Sequence, residues 1–176
     1  SMSKSFLSLC AGIAFKENII SDFNAPIIDT IQTKIFETTQ NTKITWAQML
    51  QLTSEWEGEL WGKPDWIDHN RNLDDSQKNR LEKGKKRKLN SPGTFWEYND
   101  VRVNVLSYAL MLAFERSLPD VLREHIMVPI GASNTWKWHG YENSWDEVNG
   151  KRLQSVSGGA HWGGGLWIST LDLARI

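Results

Sequence analysis

The chain has 176 residues, 40% of them hydrophobic, a single cysteine, and 20 basic against 21 acidic side chains. That length supports the core of one ordinary domain, and the balanced charge excludes a broad electrostatic pull toward nucleic acid or a membrane surface. Cys10 cannot form an internal disulfide and is expected to act as a small buried hydrophobe, while the longest apolar stretch, Phe6 to Phe15, is too short to span a bilayer and lacks the charged lead-in and cleavage site of a signal peptide.

The first predicted element is a helix from Ser3 to Lys16. It is apolar on nearly every side and should be buried by its surroundings. Its first turn gathers Ser1, Ser3, Lys4, Ser5 and Ser8, so that end is expected to face a cleft. Thr45 and Gln48 have the spacing of a capping box and predict a short helix from about Trp46. Residues 54 to 95 show no sustained periodicity. They hold the charge run LEKGKKRKLNSPG, which lacks interleaved aromatics and reads as a solvated loop or frayed helix rather than a nucleic-acid patch.

A second strong helix follows, capped by Asn99 or Asp100, apolar through Phe114 and ended by Pro119. Pro119 in turn is placed to start a helix that stops before Pro129. Residues 131 to 165 read as a Gly-, Trp- and Asn-rich loop, and Ser169 with Asp172 forms a capping box for a last helical turn. No convincing series of alternating strands is present. The expected class is therefore mainly α with long loops, and loops of this length point either to functional walls or to a piece of a larger domain. Ten tryptophans, several in loop contexts, should pin those loops to the core through their indole N–H groups, with one or two rings lining a substrate site.

Ser1 and Lys4 lie three apart on a helix and so share a face. Burial against Phe6 and Leu7 would destabilise the charged form of the Lys4 amine and make it a base for the Ser1 hydroxyl. The helix N-terminus would add N–H groups and a positive dipole end where an oxyanion forms. Alone, the pattern SxxK is short and common, and a leading Ser-Met is also what a cleaved tag leaves behind.

Taken in order, the stretches SMSKSFLSLCAGIA, KITWAQMLQLTSEW, SPGTFWEYNDVRVNVLSYAL, IMVPIGASNTWKW and SGGAHWGGGLWISTLDLARI resemble the serine β-lactamase and penicillin-binding-protein superfamily, most of all its esterase-like and nylon-oligomer-hydrolase-like branch. The resemblance implies the helical portion, over 1–176, of an α/β β-lactamase/transpeptidase-like fold, with the central sheet largely outside this chain. It implies Ser1 as nucleophile, Lys4 as base and Tyr98, of the YxN motif, as the group that relays the proton to the leaving group. The three should meet in space. Asp100 stands where that motif ends in Asn. A carboxylate cannot donate to a substrate carbonyl unless protonated, so Asp100 is expected to cap the following helix, with substrate binding as its other role. His161 and Trp162, in GAHWGGG, are expected to line the pocket or brace a loop.

No cofactor is implied, and no His/Cys/Asp spacing suggests a metal site. The third family motif, K-T-G or H-x-G on a strand, would lie beyond LDLARI in the remainder of the domain. The implied partner is a small-molecule or peptide substrate, and the family suggests a bacterial envelope or secreted location. Two other readings stand beside the hydrolase: a non-catalytic binding or sensing module of the same shape, and a structural helical domain in which SxxK is accidental.

Overall fold

The computed structural model describes residues 2–71, 82–158 and 165–176. The chain divides into two compact units, one of residues 21–106 and one of residues 1–20 with 107–176.

In the second of these, α1 (Ser3–Lys16) forms as the periodicity predicts. Phe6, Leu7, Cys10, Ala11 and Ala14 are buried, but Ser5, Ser8, Gly12 and Phe15 form an exposed stripe, so the helix is buried on one side and not all round. It ends where Asn18 turns left-handed at φ 57° and Ile19 N–H donates back to Ala14 O at 2.9 Å. The helix α3 (Asp100–Phe114), which belongs to this unit from Ser107 onward, stops when Glu115 adopts φ 51°, several residues before Pro119. Ser117 caps α4 (Leu118–Leu122), with Pro119 in its first turn, and the chain continues through a π-helical turn over Arg123–Met127. Helix α4 packs against α1. Burial pushes the Cys10 thiol up to about 12, and the residue has no exposure. It should therefore stay unreactive toward a thiol reagent such as dithionitrobenzoate in the native protein and react fully in urea; rapid labelling without denaturant would contradict this burial.

The segment expected to be loop is instead a hairpin. Strands β3 (Lys137–Val148) and β4 (Lys151–Val156) pair antiparallel, and β5 (Gly165–Trp167) adds to the other side of β3, giving the order β4-β3-β5. The turn is Asn149-Gly150, at φ 49° and 74°. Two left-handed residues are what a two-residue type I′ turn needs, and Asn-Gly is its strongest sequence signal. The alternation that would have announced β3 is broken by an irregular register between Gly140 and Trp145. The α5 helix (Thr170–Leu173) is capped by Ser169 as expected. The Asp172 carboxylate, however, accepts from Ser133 N–H at 2.8 Å and from Ser133 Oγ at 2.6 Å, tying α5 to the entry of the hairpin.

In the unit of residues 21–106, α2 (Trp46–Leu50) carries the full capping box of Thr45 and Gln48. A small hairpin, β1 (Glu59–Leu60) and β2 (Lys63–Pro64), follows. Trp46 and Trp56 are fully buried. Trp56 Nε1 donates to Ile35 O at 2.8 Å and Trp46 Nε1 to Thr30 Oγ1 at 3.2 Å. In the other unit Trp138 Nε1 donates to Ser157 O at 2.8 Å. These rings hold loops through their N–H groups, the role expected of them. Among the described residues no helix is long and apolar enough to cross a membrane.

Candidate active site

Tyr98 is set on the last turn of chain before α3. The stretch 97–100 is stitched to the stretch 65–71 by four hydrogen bonds. Asn99 Nδ2 donates to Asp65 O at 2.8 Å, and the Asp100 N–H to Asp68 Oδ2 at 3.0 Å. The Asn70 N–H donates to Glu97 Oε1 at 2.9 Å, and Arg71 Nη1 to Asp100 Oδ2 at 2.5 Å. The cap of α3 is Asn99, whose Oδ1 accepts from the Arg102 N–H at 3.1 Å. Asp100 is the helix's first residue and not its cap; its carboxylate is taken up by Arg71, an arginine that no motif or spacing singles out.

The guanidinium of Arg71 also stands over the Tyr98 ring, its carbon 4.5 Å from the ring centre. Tyr98 titrates above its ordinary value because burial disfavours the phenolate; the charge of Asp100 and the hydrogen bond with it add to this, and the Arg71 charge opposes it. Tyr98 is thus a neutral phenol at neutral pH, suited to pass a proton rather than to wait as a phenolate. For Arg71, burial works against the cation, but the hydrogen bond and charge of Asp100 and the charge of Asp68 outweigh it.

Glu97, next to Tyr98 in the chain, belongs to a charge network that no motif or spacing announces. Glu55 has no exposure. Both its oxygens receive Arg87, at 2.6 Å each, and Oε1 receives Arg102 Nη1 at 2.7 Å. Arg87 also reaches Glu97 at 2.7 Å, and Arg102 reaches it at 3.3 Å. Arg102 Nε donates to Trp56 O at 3.1 Å. Arg87 belongs to the charge run read as a solvated face: Lys85, Lys86 and Lys88 are exposed, but the Arg87 side chain is only 16% exposed. Burial alone would raise the Glu55 carboxyl, yet the Arg87 hydrogen bond, the Asn90 N–H and Arg102 bring it down to about 2. His69 Nε2 and Asp65 Oδ2, 2.8 Å apart, extend the network.

In the other unit, Lys4 is the second residue of α1 and its Nζ has no solvent contact. The neighbouring Ser3 is buried, and its Oγ accepts the Leu166 N–H at 3.2 Å, fixing β5 to the first turn of α1. Beside β3 and β5 is an open cavity of about 450 Å³ lined by Thr135, Lys137, His139, Gly140 and Trp167. Ser1, His161 and Trp162 lie outside the described residues. Tyr98 and Asp100 therefore stand together with Arg71 in one unit, and Lys4 stands in the other. Among the described residues no group of three potential metal ligands is assembled.

A protein-family model described as Beta-lactamase matches residues 1–176, the whole chain. The chain belongs to the β-lactamase family. No curated protein matches this β-lactamase-family chain. Solved structures share its fold at low identity. The octameric penicillin-binding protein homologue from Pyrococcus abyssi is 16% identical with a TM-score of 0.59, the alignment covering 99% of this chain and 42% of that one. For a β-lactamase/D-alanine carboxypeptidase from Yersinia pestis, complexed with citrate, the figures are 17%, 0.59, 99% and 50%. A D-stereospecific amidohydrolase from Streptomyces sp. gives 15%, 0.60, 99% and 57%. The family member described here thus spans about half the length of these relatives.

Proposed function

We propose that this chain carries the acylating residues of a serine hydrolase acting on an amide or ester. Ser1 Oγ attacks the carbonyl carbon, Lys4 takes the hydroxyl proton, and Tyr98 passes a proton to the departing amine or alcohol. An ester between Ser1 and the acyl group remains, and water cleaves it to a carboxylic acid and regenerates the hydroxyl. The observation that carries this reading is the family match through all 176 residues. It is supported by Lys4 with its amine out of solvent at the head of α1 and by a neutral Tyr98 at the head of α3. A second oxyanion donor on a K-T-G or H-x-G strand, in sequence beyond these residues, completes the reading, as does an envelope or secreted location. The 176-residue chain alone is expected to turn over poorly, since one missing oxyanion donor costs about two to three orders of magnitude.

The test is a fluorophosphonate or a labelled penicillin, applied to a version extended to the length of the relatives. Label on a peptide containing Ser1, lost in Ser1→Ala, is the expected result. Label elsewhere, or label that survives Ser1→Ala, refutes it. The engagement of Asp100 by Arg71 favours a second reading, a binding or sensing module without turnover. It requires that the extended protein bind a β-lactam or peptide reversibly while Ser1 stays unlabelled.

A further inference from the structure

The surroundings of Tyr98 are more closely built than an accidental tyrosine requires. Over the ring lies Arg71, whose Nη1 also holds the Asp100 carboxylate at 2.5 Å; behind Arg71, at 3.7 Å, is Asp68, itself 3.5 Å from Lys83 Nζ. Among the described residues, Asp100, Arg71 and Asp68 are charged groups that act on the phenol, with Glu97 beside it in the chain turned instead to Asn70, Arg87 and Arg102. Because Glu97 holds the residue before Arg71 and itself precedes Tyr98, the same carboxylate fixes both partners of the stack.

We propose that Arg71 is a positioning residue for Tyr98: its guanidinium covers the ring face and engages the Asp100 carboxylate, holding the phenol ready for proton transfer beside an acid. The Asp100 carboxylate disfavours ionisation of the phenol, by its charge and by hydrogen bonding to the neutral form. Arg71 counters both effects. It neutralises Asp100 through a charge-assisted bond and places positive charge against the electron-rich ring. An asparagine at position 100 would need no such partner. The arginine thus compensates for the acid that stands there.

The catalytic meaning of this inference rests on the hydrolase reading, but its test does not. In the 176-residue chain with ¹³Cζ-labelled tyrosine, the three tyrosines are titrated by NMR and Tyr98 is assigned by its loss in Tyr98→Phe. Arg71→Gln is expected to raise the Tyr98 midpoint by about one unit or more, Arg71→Lys to restore part of that shift, and Asp100→Asn to lower the midpoint by about one unit. A folded Arg71→Gln whose midpoint is unmoved overturns the proposal. Should Arg71→Gln fail to fold, the near-isosteric Asp100→Asn decides, and an unmoved midpoint there overturns it equally. These titrations do not depend on whether Ser1 can be labelled, so the two readings fail separately.

Discussion

Arg102→Ala is expected to destabilise the protein by about 3–5 kcal/mol, the scale of removing one partner from a buried ion pair. Arg102 is 3% exposed and sits between two acids, Glu55 at 0% and Glu97 at 5%. With it gone, two buried carboxylates would share Arg87 alone, and the carbonyl of Trp56 would lose its donor. Arg102→Lys keeps the charge but cannot donate from separate nitrogens to Glu55 and to the Trp56 carbonyl at once, and should recover only part of the loss. Urea unfolding followed by tryptophan fluorescence measures both; a loss below about 1 kcal/mol for Arg102→Ala would place the network among ordinary surface ion pairs. The same network carries a pH signature. Glu55 is held near 2 in the folded protein against an ordinary value of 4.5. Its contribution is therefore fully present above pH 4.5 and is lost as the pH falls from there through 2, amounting to about 3 kcal/mol across that window. Glu55→Gln should flatten the unfolding free energy over that interval and leave its slope above pH 5 unchanged.

Gly140→Ala is the second large expectation, and its cause is space rather than charge. A methyl group at position 140 would lie 2.3 Å from the Ser155 carbonyl oxygen and 2.7 Å from Ser144 Oγ. Neither can give way easily. Ser144 has no exposure, and its hydroxyl is engaged with the Tyr141 and Ser155 carbonyls, both 2.8 Å away or less. Forcing a carbon into that gap should cost about 3 kcal/mol, at the upper end of overpacking penalties, and should spoil the β3–β4 pairing at the irregular register. Gly150→Ala is the control. Its φ of 74° carries a conformational penalty, but nothing lies within 4 Å of the added carbon. It should therefore cost only about 1–2 kcal/mol, the left-handed term alone. Equal losses for the two variants would show that crowding at position 140 is not what matters.

The helices were legible because each carries its own local signals. Thr45 with Gln48, Ser169, and the apolar runs of α1 and α3 are short-range features that tertiary contacts did not override. The β3–β4 hairpin was hidden because β3 mixes buried and exposed residues irregularly on either side of its distorted register, although Asn149-Gly150 marked the turn. At the site, Tyr98 could be found by motif, and Asp100 could be recognised as a departure from it. Arg71, Glu55, Arg87 and Arg102 could not. Burial of an ion pair is decided by which distant segments meet, and residues 55, 87 and 102 give no periodic or spacing signal that they will. The charge run around Arg87 pointed the other way, since three of its lysines do face solvent.

Glu55 holds its carboxylate in the interior from a left-handed backbone, at φ 49°, a conformation that glycine adopts freely and a long side chain adopts at a cost. The side chain repays that cost only while both arginines are in place. Any transplant of the 82–97 segment from a relative, or any recombination point set between it and α3, would therefore have to carry residues 55, 87, 97 and 102 together as one heritable block. A chimera that splits the four would inherit the strained backbone without the charges that justify it.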